Sequence, residues 1–104
     1  MKKIYFITDG YEYKVGCSST PAARLKQLQT ANANELWIAY EFETAFGQKH
    51  ETTLHRYLKR HHKRGEWFIL NDAEFEKAKR LCEHIEHNFN IIKKYSTLNE
   101  TENT

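Results

Sequence analysis

Between Glu51 and Leu70 the chain reads ETTLHRYLKRHHKRGEWFIL, a carboxylate at the head of a strongly basic helical stretch that closes on Gly65-Glu66-Trp67-Phe68. From Lys49 to Arg64 there are six Lys/Arg, four of the six histidines and a single acid, Glu51, a formal charge of about +5 with neutral histidine. The whole chain carries +2, so the remainder is net acidic by about 3 and the surface is polarised. A lone acid among cations suits metal-assisted attack on a polyanion, because the cations attract phosphates and the carboxylate can hold a divalent ion beside them. His55 follows Glu51 by one helical turn, shares its face and could contact phosphate or relay a proton. Zinc is disfavoured: there is no CxxC or Cys/His ligand spacing, and His61 and His62, adjacent on a helix, would point about 100° apart.

The elements that must present these groups fit one domain. The chain has 104 residues and 13% aromatic content, enough for one modest core and too little for two. No apolar run approaches spanning length, and Met1-Lys2-Lys3 leads into only four apolar residues, too few for a signal-peptide core. A cytoplasmic protein with no membrane partner is expected. Cys17 and Cys82 should therefore be free thiols.

Residues 3–7 and 12–17 read as strands joined through Asp9-Gly10, a hairpin signal. Gly16, late in the second strand, leaves room for a close approach. Thr20-Pro21 starts a helix that runs to about Thr30, with Thr20 as N-cap, Leu25 and Leu28 on its buried side and Arg24 at the border of that face. Residues 36–43 form a third strand with Leu36, Ile38, Tyr40 and Phe42 on one face, which implies a sheet covered mainly on one side. A second helix is expected over 46–62, then a short extended segment from Glu66 to Leu70. Asn71 and Glu74 make a capping box for a last amphipathic helix carrying Phe75, Ala78, Leu81, Cys82, Ile85, Phe89 and Ile92. Residues 1–95 thus form the domain and 96–104 a polar, disordered tail. The expected fold is α+β, a small three-stranded antiparallel sheet flanked by helices.

Five pieces in this order resemble the GIY-YIG endonuclease superfamily, in particular its small phage and bacterial branch. They are Ile4-Tyr5-Phe6-Ile7, Tyr13-Lys14-Val15-Gly16, Arg24-Leu25-Lys26-Gln27-Leu28-Gln29, Glu51-Thr52-Thr53-Leu54-His55 and Arg64-Gly65-Glu66-Trp67-Phe68. The match covers about residues 3–70. Two positions depart from the family pattern: Lys3 replaces the glycine of the first motif, and Lys14 replaces the tyrosine of the second.

The resemblance implies phosphodiester hydrolysis of nucleic acid, DNA above all, in a bacterial or phage-infected cell. Tyr5 would orient or deprotonate the attacking water, and Arg24 would donate to the nonbridging oxygens. Glu51 would hold one Mg²⁺ or Mn²⁺ that keeps several waters. Lys14 would clamp a phosphate oxygen, or act as a base if its surroundings lowered its pKa. His55 belongs to the same site. Lys14, Arg24, Arg56, Lys59, Arg60 and Lys63 would bind the polyanion. A one-metal arrangement is expected, since no second carboxylate stands out as placed to bridge another ion. Glu66 reads as the structural partner of a basic neighbour such as Arg64, and Trp67 as a core anchor. Sequence preference would be slight, or would come from a homodimer or a partner protein, because phosphate contacts carry little base information. Two other classes fit the same residues: a noncatalytic nucleic-acid-binding module, and a phage-encoded protein-interaction factor.

Overall fold

The computed structural model describes residues 1–102, with the side chains of residues 1–96. In chain order the elements are β1 (Lys2–Thr8), β2 (Glu12–Ser18), α1 (Pro21–Thr30), β3 (Trp37–Thr44), α2 (Gln48–Tyr57), a 3-10 turn (Lys59–His61), β4 (His62–Arg64), β5 (Trp67–Ile69) and α3 (Asp72–Glu102). The strands form one antiparallel sheet in the order β3-β1-β2-β5-β4. The fold class is α+β as expected, but the sheet has five strands rather than three.

The extra hairpin comes from the basic stretch. Helix α2 ends at Tyr57, not near 62, and the chain turns through Gly65, whose φ of 50° is a left-handed conformation that glycine adopts without a Cβ penalty. All three residues of β4 are exposed and polar, so no apolar alternation announced a strand there. Pairing rather than patterning makes this segment extended. Phe68 is buried in the core, and β5 continues the sheet along Glu12–Lys14 of β2.

Both faces of the sheet are covered, contrary to the one-sided arrangement expected. On one face Tyr5, Ile7 and Leu36 pack with Leu25 and Leu28 of α1, Ile38 and Trp67. On the other, Ile4, Phe6, Tyr13, Val15 and Phe68 meet Leu54 of α2 and Ala78, Cys82 and Ile85 of α3. A register shift between Phe6 and Ile7, opposite Tyr40 and Ile38, explains the discrepancy. The extra residue, Ala39, breaks the period of two, so Ile38 faces α1 while Tyr40 and Phe42 face α3.

Local signals in the turns and caps behave as read. Asp9 accepts from the N–H groups of Tyr11 (2.9 Å) and Glu12 (2.8 Å), and Gly10 has φ 101°. Thr20 stands at the N-cap of α1 with Pro21 following, although capping there uses its carbonyl and not its hydroxyl. The Asn71–Glu74 box closes reciprocally at 2.9 and 2.8 Å. No glycine or proline lies between 72 and 102, and α3 runs on through the polar stretch expected to fray at Ser96; Asn103 and Thr104 lie outside the described residues. Cys17 and Cys82 are free thiols. Among the described residues no helix is long and apolar enough to cross a membrane.

One polar network locks α3 onto the rest. The Glu86 carboxylate accepts from Thr44 Oγ1 (2.6 Å), the Ala45 N–H (2.8 Å) and Nδ1–H of fully buried His50 (2.9 Å). Burial alone would raise the pKa of Glu86, but these three donors outweigh it and hold the carboxyl below the usual range; burial pushes His50 down. Both groups thus bind protons more weakly folded than unfolded, so acidification from about pH 6.5 downward progressively destabilises the fold. Glu86→Ala should cost about 2–4 kcal/mol in urea unfolding, because it leaves the buried imidazole without its acceptor. A loss under about 0.5 kcal/mol would show that the network contributes little.

Candidate active site at the open edge of β2

Strand β5 pairs with β2 only along Glu12–Lys14, and one further bond joins the Val15 N–H to the Glu66 carbonyl at 3.0 Å. The Val15 carbonyl on that edge is taken instead by His55 Nε2 at 2.7 Å. A carbonyl can only accept, so His55 carries its proton on Nε2. Its ring also stands edge-on to Phe68, at 5.1 Å between centroids. This imidazole docks α2 against β2 and, one turn earlier on the same face, brings Glu51 to the strand, with 3.7 Å between His55 Nε2 and Glu51 Oε1. The expected proton relay is thus replaced, at Nε2, by a positioning bond.

Tyr5 and Gly16 are direct cross-strand partners. A Cβ at Gly16 would lie 2.3 Å from the Tyr5 hydroxyl oxygen and 2.4 Å from its ring carbon, so the phenol lies across the bare glycine. This accounts for Gly16 by close approach rather than by backbone conformation. Burial raises the Tyr5 pKa, with the charges of Glu66 and Glu51 adding to it, while a hydrogen bond and the charge from Arg24 oppose. At neutral pH Tyr5 is a phenol that keeps its proton and is better placed to orient water than to deprotonate it. Exposed Arg24 also donates from Nη1 to Gln27 Oε1 at 3.1 Å, which steadies its fork at the border of α1.

Lys14 emerges between these groups. Its side chain is 11% exposed, its Nζ lies 3.3 Å from Glu66 Oε2, and it sits 5.6 Å from the centre of the Trp67 ring. Glu66 therefore pairs with Lys14 and not with Arg64, and it also hydrogen-bonds Glu51. Burial, then the charge and hydrogen bond of Glu66, push the Glu51 carboxyl up to about 7, against the pull of Lys14 and Lys2. Glu66 is the member of the site that the sequence did not disclose. Finding it requires knowing that β5 pairs with β2 in the register Lys14↔Trp67, which puts residue 66 beside the lysine.

The half-buried Glu51 carboxyl holds its proton tightly beside the partly exposed Glu66 carboxylate, because burial and a neighbouring negative charge both disfavour its ionised form. Among the described residues no group of three or more His, Cys, Asp or Glu gathers to cage an ion. A pair of carboxylates with open remaining positions suits Mg²⁺ or Mn²⁺, which keep waters and take phosphate oxygens, better than a fully caged ion.

The basic stretch divides around α2. Lys59 borders a hollow with His55. Arg56 lines another with Lys49 and Phe89, and Arg60 one with Glu74 and Lys77, both toward α3. Lys63 is paired with Glu12. Tyr5, Lys14, Arg24 and Glu51 are thus brought to one place, while Arg56, Arg60 and Lys63 are directed elsewhere.

The architecture defines a small α+β domain with a polar site where a helix meets the open edge of its central hairpin. The family model of the T5orf172 domain matches residues 2–86, and the chain belongs to that family. No curated protein and no solved structure matches it.

Proposed function

We propose that this protein is a divalent-metal-dependent endonuclease that hydrolyses phosphodiester bonds of nucleic acid, DNA in the first instance, by direct attack of water. The observation that carries this reading is the convergence on Tyr5 of β1, lying across the bare backbone of Gly16, of a hydrogen bond from Arg24 of α1 and the charge of Glu51 of α2. The motif resemblance to GIY-YIG endonucleases supports it, as does membership of a family found in phage and bacterial nuclease-like proteins.

Each side chain then has a defined task. Glu51, joined by Glu66, would hold Mg²⁺ or Mn²⁺, which when bound polarises a phosphoryl oxygen and lowers the pKa of its own water. The Tyr5 hydroxyl orients the nucleophile. Arg24 donates to the nonbridging oxygens as negative charge accumulates on them. Lys14, once Glu66 turns to the cation, clamps a phosphate oxygen. Its existing carboxylate partner favours that role over general base. Of the cations in the basic stretch, Lys59 shares a hollow with His55, whereas Arg56 and Arg60 would touch only flanking backbone.

The test uses plasmid and single-stranded DNA with Mg²⁺ or with chelator. Wild-type protein should cut only with metal, and Arg24→Ala should lower the rate by about 10²–10³-fold. DNA that is retarded in a gel yet never cut would favour the binding-module reading. Cutting that survives both Arg24→Ala and Glu51→Ala would remove the site assignment.

A further inference from the structure

A hollow lies beside the site on the far side of His55 from Glu51. His55, Lys59, His62, Gly65 and Phe68 line a depression of about 250 Å³. Phe68, buried at its floor, is met edge-on by both imidazoles, with centroid distances of 5.1 Å to His55 and 5.5 Å to His62. Both rings are held by the same device: His55 Nε2–H donates to the Val15 carbonyl (2.7 Å) and His62 Nε2–H to the Gly65 carbonyl (2.8 Å). The depression is therefore bounded by side chains fixed before any ligand arrives, and Nδ1 is the nitrogen each ring has left, an acceptor in this tautomer and a donor to an anion only when it too carries a proton.

Its one permanent cation is Lys59. His61 is paired with Glu74 and Lys63 with Glu12, but Lys59 has no carboxylate partner among the described residues. His55 follows Glu51 by four residues, about 6 Å along α2 at 1.5 Å per residue, so the hollow begins one short step from the carboxylate pair. A strand lying across Gly16 toward the β4–β5 hairpin would bring its next backbone unit there. A cation over preset rings and an apolar floor suits an anion that is partly desolvated on entry.

We propose that this hollow receives the backbone phosphate adjacent to the one cleaved, with Lys59 and His62 as its contacts, and so sets which bond reaches Glu51. The proposal rests on the nuclease reading of the neighbouring site and adds a subsite to it.

Fluorescence anisotropy in chelator measures binding of short single-stranded oligonucleotides in which each phosphate in turn is a neutral methylphosphonate. Against wild-type protein, neutralising the phosphate next to the cleavage position should weaken binding by about five- to tenfold. Against Lys59→Ala/His62→Ala that same substitution should cost nothing further, while Arg60→Ala should retain the full loss. Both altered residues are exposed, and an unchanged thermal transition will confirm that the variant is folded. If the two losses simply multiply at every position, the hollow holds no phosphate and the proposal fails, though the nuclease reading stands. If the wild-type protein binds no oligonucleotide at any salt concentration, both fail together.

Discussion

Gly16→Ala is expected to cut cleavage by about 10²-fold or more while leaving the fold intact. The added methyl would lie 2.3 Å from the Tyr5 hydroxyl, a separation that no pair of unbonded heavy atoms tolerates, so the phenol must leave its place over β2. Overpacking of this kind costs about 1–3 kcal/mol, within what a small domain survives. A hydroxyl displaced by an ångström or more loses its hold on the nucleophile, and single-turnover cleavage should fall by about 10²-fold or more. Tyr5→Phe provides the comparison, since it removes the hydroxyl without the collision. The two variants should lose activity alike, and only Gly16→Ala should lose stability. An active Gly16→Ala protein would mean that Tyr5 plays no part in the reaction.

Glu51→Gln should separate stability from function in the opposite sense. The Glu51 pKa lies near 7 in the folded chain against an ordinary 4.5, so between those values the folded state binds more protons than the unfolded state. Stability therefore declines as pH rises from about 4.5 to about 7, and above that the folded protein carries a roughly constant penalty on the order of 3 kcal/mol. Glutamine cannot ionise. At pH 8 and without metal, Glu51→Gln should raise the melting temperature by several degrees, whereas near pH 4 the two proteins should melt alike. Mg²⁺ should raise the melting temperature of the wild type and not of the variant. Cleavage should fall by about 10³-fold or more, since the variant loses several kcal/mol of charge stabilisation. A glutamate serving only as a first-turn helix carboxylate would give the reverse, a small loss of stability and no loss of cleavage.

What the sequence disclosed, and what it withheld, follow from the range of the forces involved. The Asp9-Gly10 turn, Pro21 at the start of α1 and the Asn71–Glu74 box are set by neighbours within four residues, and all three are as read. The motif resemblance also singled out Tyr5, Arg24 and Glu51, and the fold brings Arg24 into a hydrogen bond with Tyr5 and the charge of Glu51 within its reach. Three features depend on contacts distant in the chain and were not legible. The bulge at Ala39 emerges only from the pairing of β1 with β3, so apparent alternation put Ile38 and Tyr40 on one face when they serve opposite cores. Strand β4 is polar and exposed, held by β5 rather than by any apolar pattern. Glu66 looked like a local partner for Arg64, two residues away, but β5 carries it to Lys14 and Glu51. The basic stretch misled in a related way. Its charge was evident, but where α2 ended was not, and that end sends Lys59 toward the site and Arg60 toward α3.

On the nuclease reading, one ion and one phosphate meet between Tyr5, Arg24 and the Glu51–Glu66 pair. Anomalous diffraction from crystals grown with Mn²⁺ and a phosphorothioate oligonucleotide tests it most directly. A single manganese peak at the Glu51 carboxylate, with a phosphorothioate group reaching both that ion and the Arg24 guanidinium, is the predicted result. Manganese absent from Glu51, or an oligonucleotide seated where its backbone meets neither Arg24 nor Tyr5, would contradict the account.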